Sequence, residues 1–252
     1  ADRTVNEQQT LVVTNTATVN DVPPLTLTYA LIVAPSGATI DANLGGGAVT
    51  VSGGTTRLNG TSAAANLQIV SGTLMLGASD RLADAADVTI ASGATLDLAS
   101  YADTINQLVS AGMLNGTGTL TAGQYLLSGA VVNANLGSGL LANLGGTTLL
   151  GGTVAATDVR VNAGTVVLGA ADRLADAAIV QVVSGATLDL GAYADTVATL
   201  ALAGTLNGTG TLTAASYQLT GATVNANLGT GQIAQLGGTS TLNGTAAATD
   251  VQ

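Results

Sequence analysis

The chain has 252 residues, 34 of them Gly; 47% are hydrophobic and only 8% charged, and the formal net charge is −10. His, Cys, Trp, Phe and Lys are absent, and the basic residues are Arg3, Arg57, Arg81, Arg160 and Arg173. This composition excludes ordinary zinc, haem and iron–sulfur sites and the serine- and cysteine-protease triads. It also excludes Schiff-base and P-loop lysines. Scattered Arg in an acidic chain do not form a nucleic-acid footprint, and the mean hydropathy of +0.48 is too high for disorder.

Residues 1–35 stand apart. They hold all three prolines (Pro23, Pro24, Pro35) and the only Glu, Glu7. Residues 10–18 and 25–33 alternate as strands around the turn Asn20-Asp21-Val22-Pro23-Pro24. The segment is expected to be a cap or an inter-subunit segment. No stretch is long and apolar enough to span a membrane. No leader pattern opens the chain, which therefore reads as a mature product or a fragment.

Residues 36–252 are built from repeats. Asp80-Arg81-Leu82-Ala83-Asp84 returns as Asp172-Arg173-Leu174-Ala175-Asp176, an offset of 92, and residues 78–160 match 170–252 at 56 of 83 positions without a gap. Within this unit small-Gly steps recur every 17 to 21 residues, at Gly37, Gly54, Gly72, Gly93, Gly112, Gly129, Gly146, Gly164, Gly185, Gly204, Gly221 and Gly238. Five such steps make one 92-residue unit, and 2.3 units make the region. The pattern predicts an all-β fold, a right-handed parallel β-helix (β-solenoid) of about 12 rungs, with Gly at the rung corners. With strands stacked about 4.8 Å apart, the rod would be roughly 58 Å long. Frequent Gly argues against helices, and residues 78–87 are expected to form a loop or short helical turn in the longest rung. A narrow stacked core is expected to admit Ala, Val, Leu and Thr and to exclude large rings. The end at Gln252, mid-rung, is expected to suit a fragment or a subunit that stacks end to end.

The segments Gly72–Leu98 and Gly164–Leu190, with Gly185-Ala186-Thr187-Leu188-Asp189-Leu190, resemble the autotransporter-associated β-strand repeats of bacterial surface proteins. Those repeats are passenger-type right-handed parallel β-helices. Residues 5–11, 25–29 and 35–41 look like the first half of a cadherin-like or immunoglobulin-like repeat of large bacterial adhesins, without its second half. Val19-Asn20-Asp21 stands where those repeats hold a pair of acidic residues. The resemblance implies an extracellular structural or adhesive protein of a bacterial surface or matrix, with no enzymatic activity.

The candidate chemistry is sparse. Asp80, Asp84, Asp172 and Asp176, with Asp87, are weak calcium-ligand candidates. A solvated loop with Arg81 and Arg173 as charge partners is the favoured reading, since Ile179 replaces Asp87 in the second unit. Asp97 and Asp189 lie between leucines and are expected to point outward. The residues after the corner glycines mix Ala, Thr and Met too irregularly for an ice-binding threonine array. Asn59, Asn115, Asn207 and Asn243 open Asn-Gly-Thr triplets that read as turns more readily than as glycosylation acceptors. No catalytic residue and no cofactor are expected. The expected partners are the chain itself, stacking head to tail through residues 1–35 and the last rung, and host or matrix glycans. A glycan-binding or glycan-cleaving β-helix is the alternative, because fold alone does not exclude catalysis.

Overall fold

The computed structural model describes residues 38–252 together with the strand Thr28–Leu31. The expected turn at 20–24, most of the N-terminal strands and the corner Gly37 lie outside the described residues. The described residues are all-β, without a helix, and every strand pairing is parallel. The chain winds as a β-solenoid of about 12 turns. Each rung has three short faces. The first is seen in Asn66–Ile69, Asp87–Ile90 and Ile179–Val182, which belong to one ladder; the second in Thr95–Asp97, Met113–Asn115 and Thr205–Asn207. The third is shorter, and in some rungs it shrinks to a single bridge such as Leu136 to Val154.

The core follows from register. Alternation sends every second side chain inward, and parallel pairing places each one over its counterpart in the next rung. One first-face column runs Val49, Leu67, Val88, Leu108, Tyr125, Leu141, Val159, Val180, Leu200, Tyr217 and Ile233, and all of these are buried. A second-face column carries Leu74, Leu96, Leu114, Val132 and Leu150 in the same way.

Two rings sit in this core, contrary to the expectation from composition. Tyr125 and Tyr217 are completely buried. The ring of Tyr125 crosses from the first face to the third. Its hydroxyl accepts the Ala122 N–H at 2.9 Å and lies 2.9 Å from the Leu120 carbonyl to which it donates, with Ser138 O at 3.2 Å. Tyr217 repeats the arrangement on Ala214, Leu212 and Thr230. Gly231 makes room, since a Cβ there would lie 3.0 Å from the Tyr217 ring. A large ring is tolerated where it braces two faces and a missing Cβ offsets its volume. Burial raises the phenol pKa of Tyr125 to about 12, so the hydroxyl remains a donor at any physiological pH.

The recurrent glycines occupy the corner between the first and second faces. Gly54, Gly72, Gly93, Gly129, Gly146, Gly164, Gly185, Gly221 and Gly238 have positive φ. Gly112 and its equivalent Gly204 do not, and they are required for a different reason: a Cβ at either would collide with backbone carbonyls of the neighbouring rung. Residues 78–87 form a bent loop leading into the strand Asp87–Ile90, with one turn closed by the Ala86 N–H on Ala83 O.

Two glycine substitutions separate conformation from space. Gly93→Ala meets nothing within 4 Å but holds φ at +79°, so it should cost about 1 kcal/mol of strain. Gly118→Ala would drive its Cβ into the Tyr101 backbone of the adjacent rung and should cost about 3 kcal/mol. Denaturant midpoints of the two variants check this order. A second pair tests the buried hydroxyls. Thr148 Oγ1 donates to Asn143 Oδ1 at 2.7 Å and accepts the Ala130 N–H at 3.3 Å. Its counterpart Thr56 is buried without a partner, because Val51 stands where Asn143 stands one unit later. Thr148→Val should destabilise by about 1–2 kcal/mol, whereas Thr56→Val should be neutral or slightly stabilising.

Candidate functional site

The acidic loop was the most promising sequence feature, and the structure divides its residues. Asp80, Asp84 and Asp87 are exposed, as are Asp172 and Asp176. Among the described residues no three carboxylates gather as a cation site. Arg81 is not their charge partner. Its guanidinium donates to the backbone carbonyls of Ser79 at 2.9 Å and Asn59 at 2.7 Å, the latter in the preceding rung. Arg173 does the same to Ala171 and Gly151. The guanidinium satisfies carbonyls that the loop removes from the ladder. Among the described residues the ion pair present is Arg160 with Asp158, at 2.6 Å and exposed.

The carboxylate that organises this loop is one that sequence reasoning missed. Asp103 is 2% exposed and points inward, in register with Leu120. Its Oδ2 accepts the N–H groups of Arg81 at 2.8 Å and Leu82 at 3.1 Å. The loop is further held by the Asp80 N–H on Ala102 O and by Ser79 Oγ, which accepts the Ala102 N–H. Asp80 takes a positive φ of 55° there, and Asp172 one of 53°. Asp195 repeats the contacts on Arg173 and Leu174. The two copies differ at the other oxygen. Asp195 Oδ1 accepts the Thr196 N–H at 2.8 Å, whereas Asp103 Oδ1 is buried without a hydrogen-bond partner. Burial, assisted by the nearby charge of Asp80 or Asp172 and opposed by the amide donors, raises both carboxyl pKa values above the ordinary aspartate value. The signal was present in the sequence: Asp103 alternates in phase with Ile105, and Asp195 with Val197, so all four face inward.

The second face carries the regular surface chemistry. Its register does not follow the residues after the corner glycines, so the irregularity expected there is corrected. Thr147, Thr165, Thr187, Thr205, Thr223 and Thr241 form one unbroken column of six. Beside it Asp189, Asn207, Asn225 and Asn243 form an amide ladder. The Nδ2 of Asn207 donates to Asp189 Oδ2 at 3.0 Å, that of Asn225 to Asn207 Oδ1 at 3.2 Å, and that of Asn243 to Asn225 Oδ1 at 2.8 Å. Asp97, Asn115 and Asn133 form the equivalent ladder one unit earlier, and Asn59 donates to Asp41. Asp97 and Asp189 are thus half-exposed ladder heads whose other oxygen caps the Ala99 or Gly191 N–H. The amides of the Asn-Gly-Thr triplets serve as rung-to-rung donors. The equivalent column of the first unit begins with Thr55, Thr73 and Thr95 and continues with Met113, Val131 and Leu149, so it turns apolar over the rungs where the second unit keeps Thr205, Thr223 and Thr241.

Concave sites are shallow. One groove of about 190 Å³ lies beside Gln181, Ser184, Gln218 and Leu236, and another of about 250 Å³ beside Ser92, Met113 and Val131. Both follow the same corner of the unit and are smaller than typical small-molecule sites of roughly 300–1,000 Å³. Among the described residues no helix is long and apolar enough to cross a membrane. No protein-family model, curated protein or solved structure matches the chain.

The amide ladder can be tested at its middle and its end. Asn207→Ala removes the acceptor of Asn225 and the donor to Asp189 and should lower stability by about 1 kcal/mol. Asn243→Ala, exposed in the last ladder position, should leave the unfolding midpoint nearly unchanged.

Proposed function

We propose that the chain is a non-catalytic structural or adhesive repeat segment of an extracellular bacterial surface protein, acting as a stiff spacer. The observation that carries this reading is the distribution of its polar groups. Acidic residues and amide ladders recur with the 92-residue unit, whereas an active site needs its groups gathered once. The buried columns give each rung the same neighbours above and below, and such a stack resists bending along its whole length. The resemblance to autotransporter-associated strand repeats supports the same assignment. Self-association is the partner reading: in-register parallel stacking is a geometry in which one chain can add rungs to another. Negative-stain images are the test. Straight rods of one molecule's length at high concentration support the spacer, and filaments support stacking. Flexible or globular particles would remove both.

A second reading, glycan binding, is favoured by the threonine column and its neighbouring amides. An array of hydroxyls and amides repeating about every 4.8 Å, with Asp189 as the acid at the head of its ladder, suits a polyhydroxylated chain lying along the solenoid axis. Co-sedimentation with insoluble polysaccharides, compared with a Thr205→Val/Thr223→Val variant, checks it. Binding lost in the variant supports the reading, and absence of binding to any polysaccharide, or equal binding by both proteins, removes it.

A further inference from the structure

The most unusual groups in the molecule are the two carboxyls placed in a leucine core. Asp103 and Asp195 occupy third-face positions in register with Leu120 and Leu212, and each is 2% exposed. A charged group there lacks a counter-ion. The nearest cations, Arg81 and Arg173, turn their guanidinium groups onto backbone carbonyls of their own loop and of the preceding rung. The charged neighbours that act on the two carboxyls are Asp80 and Asp172, and both repel. What the position requires is an acceptor. The loop of the longest rung withdraws from the ladder, and the N–H groups of residues 81–82 and 173–174 bond to one carboxyl oxygen instead of a backbone carbonyl. A neutral carboxyl supplies that acceptor through its carbonyl oxygen without a buried charge.

We propose that Asp103 and Asp195 are loop latches that work best uncharged, so that each 92-residue unit carries a built-in device that tightens the solenoid as the surroundings become acidic. In the first unit the proton is taken on Oδ1 of Asp103, the oxygen that is buried and unpaired; Oδ2 keeps both loop amides. The sign follows from the raised folded-state pKa. Folding takes up protons, so the stabilisation is fully present below the ordinary aspartate pKa of about 4 and is lost as pH rises through the higher folded-state value. Most proteins behave in the opposite way, because their native carboxylates are paired and must be protonated on unfolding. The exposed carboxylates add general self-repulsion at net charge −10, and the test must separate this background from the latches.

The experiment follows thermal and denaturant unfolding between about pH 7 and about pH 4 for the whole chain and three double variants. The wild type should gain several degrees in midpoint on acidification. Asp103→Asn/Asp195→Asn keeps the acceptor and removes the charge. At neutral pH its midpoint should equal or exceed that of the wild type, and most of the acid gain should vanish. Asp103→Ala/Asp195→Ala removes the acceptor and should melt earlier at every pH. Asp84→Asn/Asp176→Asn removes the same number of exposed charges and should retain the acid gain. An Asn variant as damaged as the Ala variant at neutral pH, or one that keeps the full acid gain, would overturn the proposal. So would a wild type that loses stability on acidification while the Asp84→Asn/Asp176→Asn control does the same.

Discussion

Everything in this molecule depends on in-register parallel stacking. A rung of 17 to 21 residues cannot bury a face alone. It becomes stable only when each inward side chain lies on its counterpart about 4.8 Å away and each backbone N–H meets a carbonyl of the next rung. Two demands follow. The inward volume must be nearly constant from rung to rung, and any residue that leaves the ladder must have its backbone groups satisfied by something else. The small-residue composition answers the first demand, and the few distinctive side chains answer the second.

The loop of the longest rung shows how the second demand is met. Its amides are taken by Asp103 and its neighbouring carbonyls by Arg81. Reading Arg81 as the charge partner of the loop aspartates assigns it to the wrong groups: Arg81 and Asp103 each repair one polarity of the broken ladder. Tyr125 works similarly from inside, meeting the Ala122 N–H and the Leu120 carbonyl at a corner. Asn143 and Thr148 do so at the corner beside Gly146, where the Asn143 amide also reaches Ala163 O. Thr56 shows the cost of dividing such a pair, since Val51 lacks the polar group that its hydroxyl needs.

The repeat, the strand class and the corner glycines were legible in the sequence because each rests on a local rule that recurs. Gly72 and Gly164, one unit apart, both keep a positive φ and both crowd the glycine backbone of the preceding rung. The threonine column was not legible from the glycine spacing. Rungs of different length pass the corner differently, so Thr187 and Thr223 stack in one column even though Ala186 and Ala222 directly follow the corner glycines. Asp103 was hidden by its chemistry. In Tyr101-Ala102-Asp103-Thr104 an aspartate reads as a surface residue, and only its phase with Ile105 points it inward. Tyr217 was hidden by a composition rule that ignores the room its neighbour Gly231 leaves.

The low charge of the chain follows from the same constraint. Stacking places like on like, and two equal charges about 4.8 Å apart repel by about 1 kcal/mol even in water, at every rung. In the strand registers of the described residues no charged residue lies on one of the same sign: Asp87 meets Asn66 and Gln107, Asp97 meets Met75 and Asn115, Arg160 meets Ala142 and Gln181, and Asp189 meets Val167 and Asn207. Asparagine replaces aspartate after the first ladder position because its amide both donates and accepts. A ladder can therefore be headed by one acid, which accepts only, and continued by amides without limit. Asp189 followed by Asn207, Asn225 and Asn243 has that order. A β-solenoid of this kind can lengthen by whole units while its charge per rung stays low, and its polar surface then consists of hydroxyls and amides more than of ions.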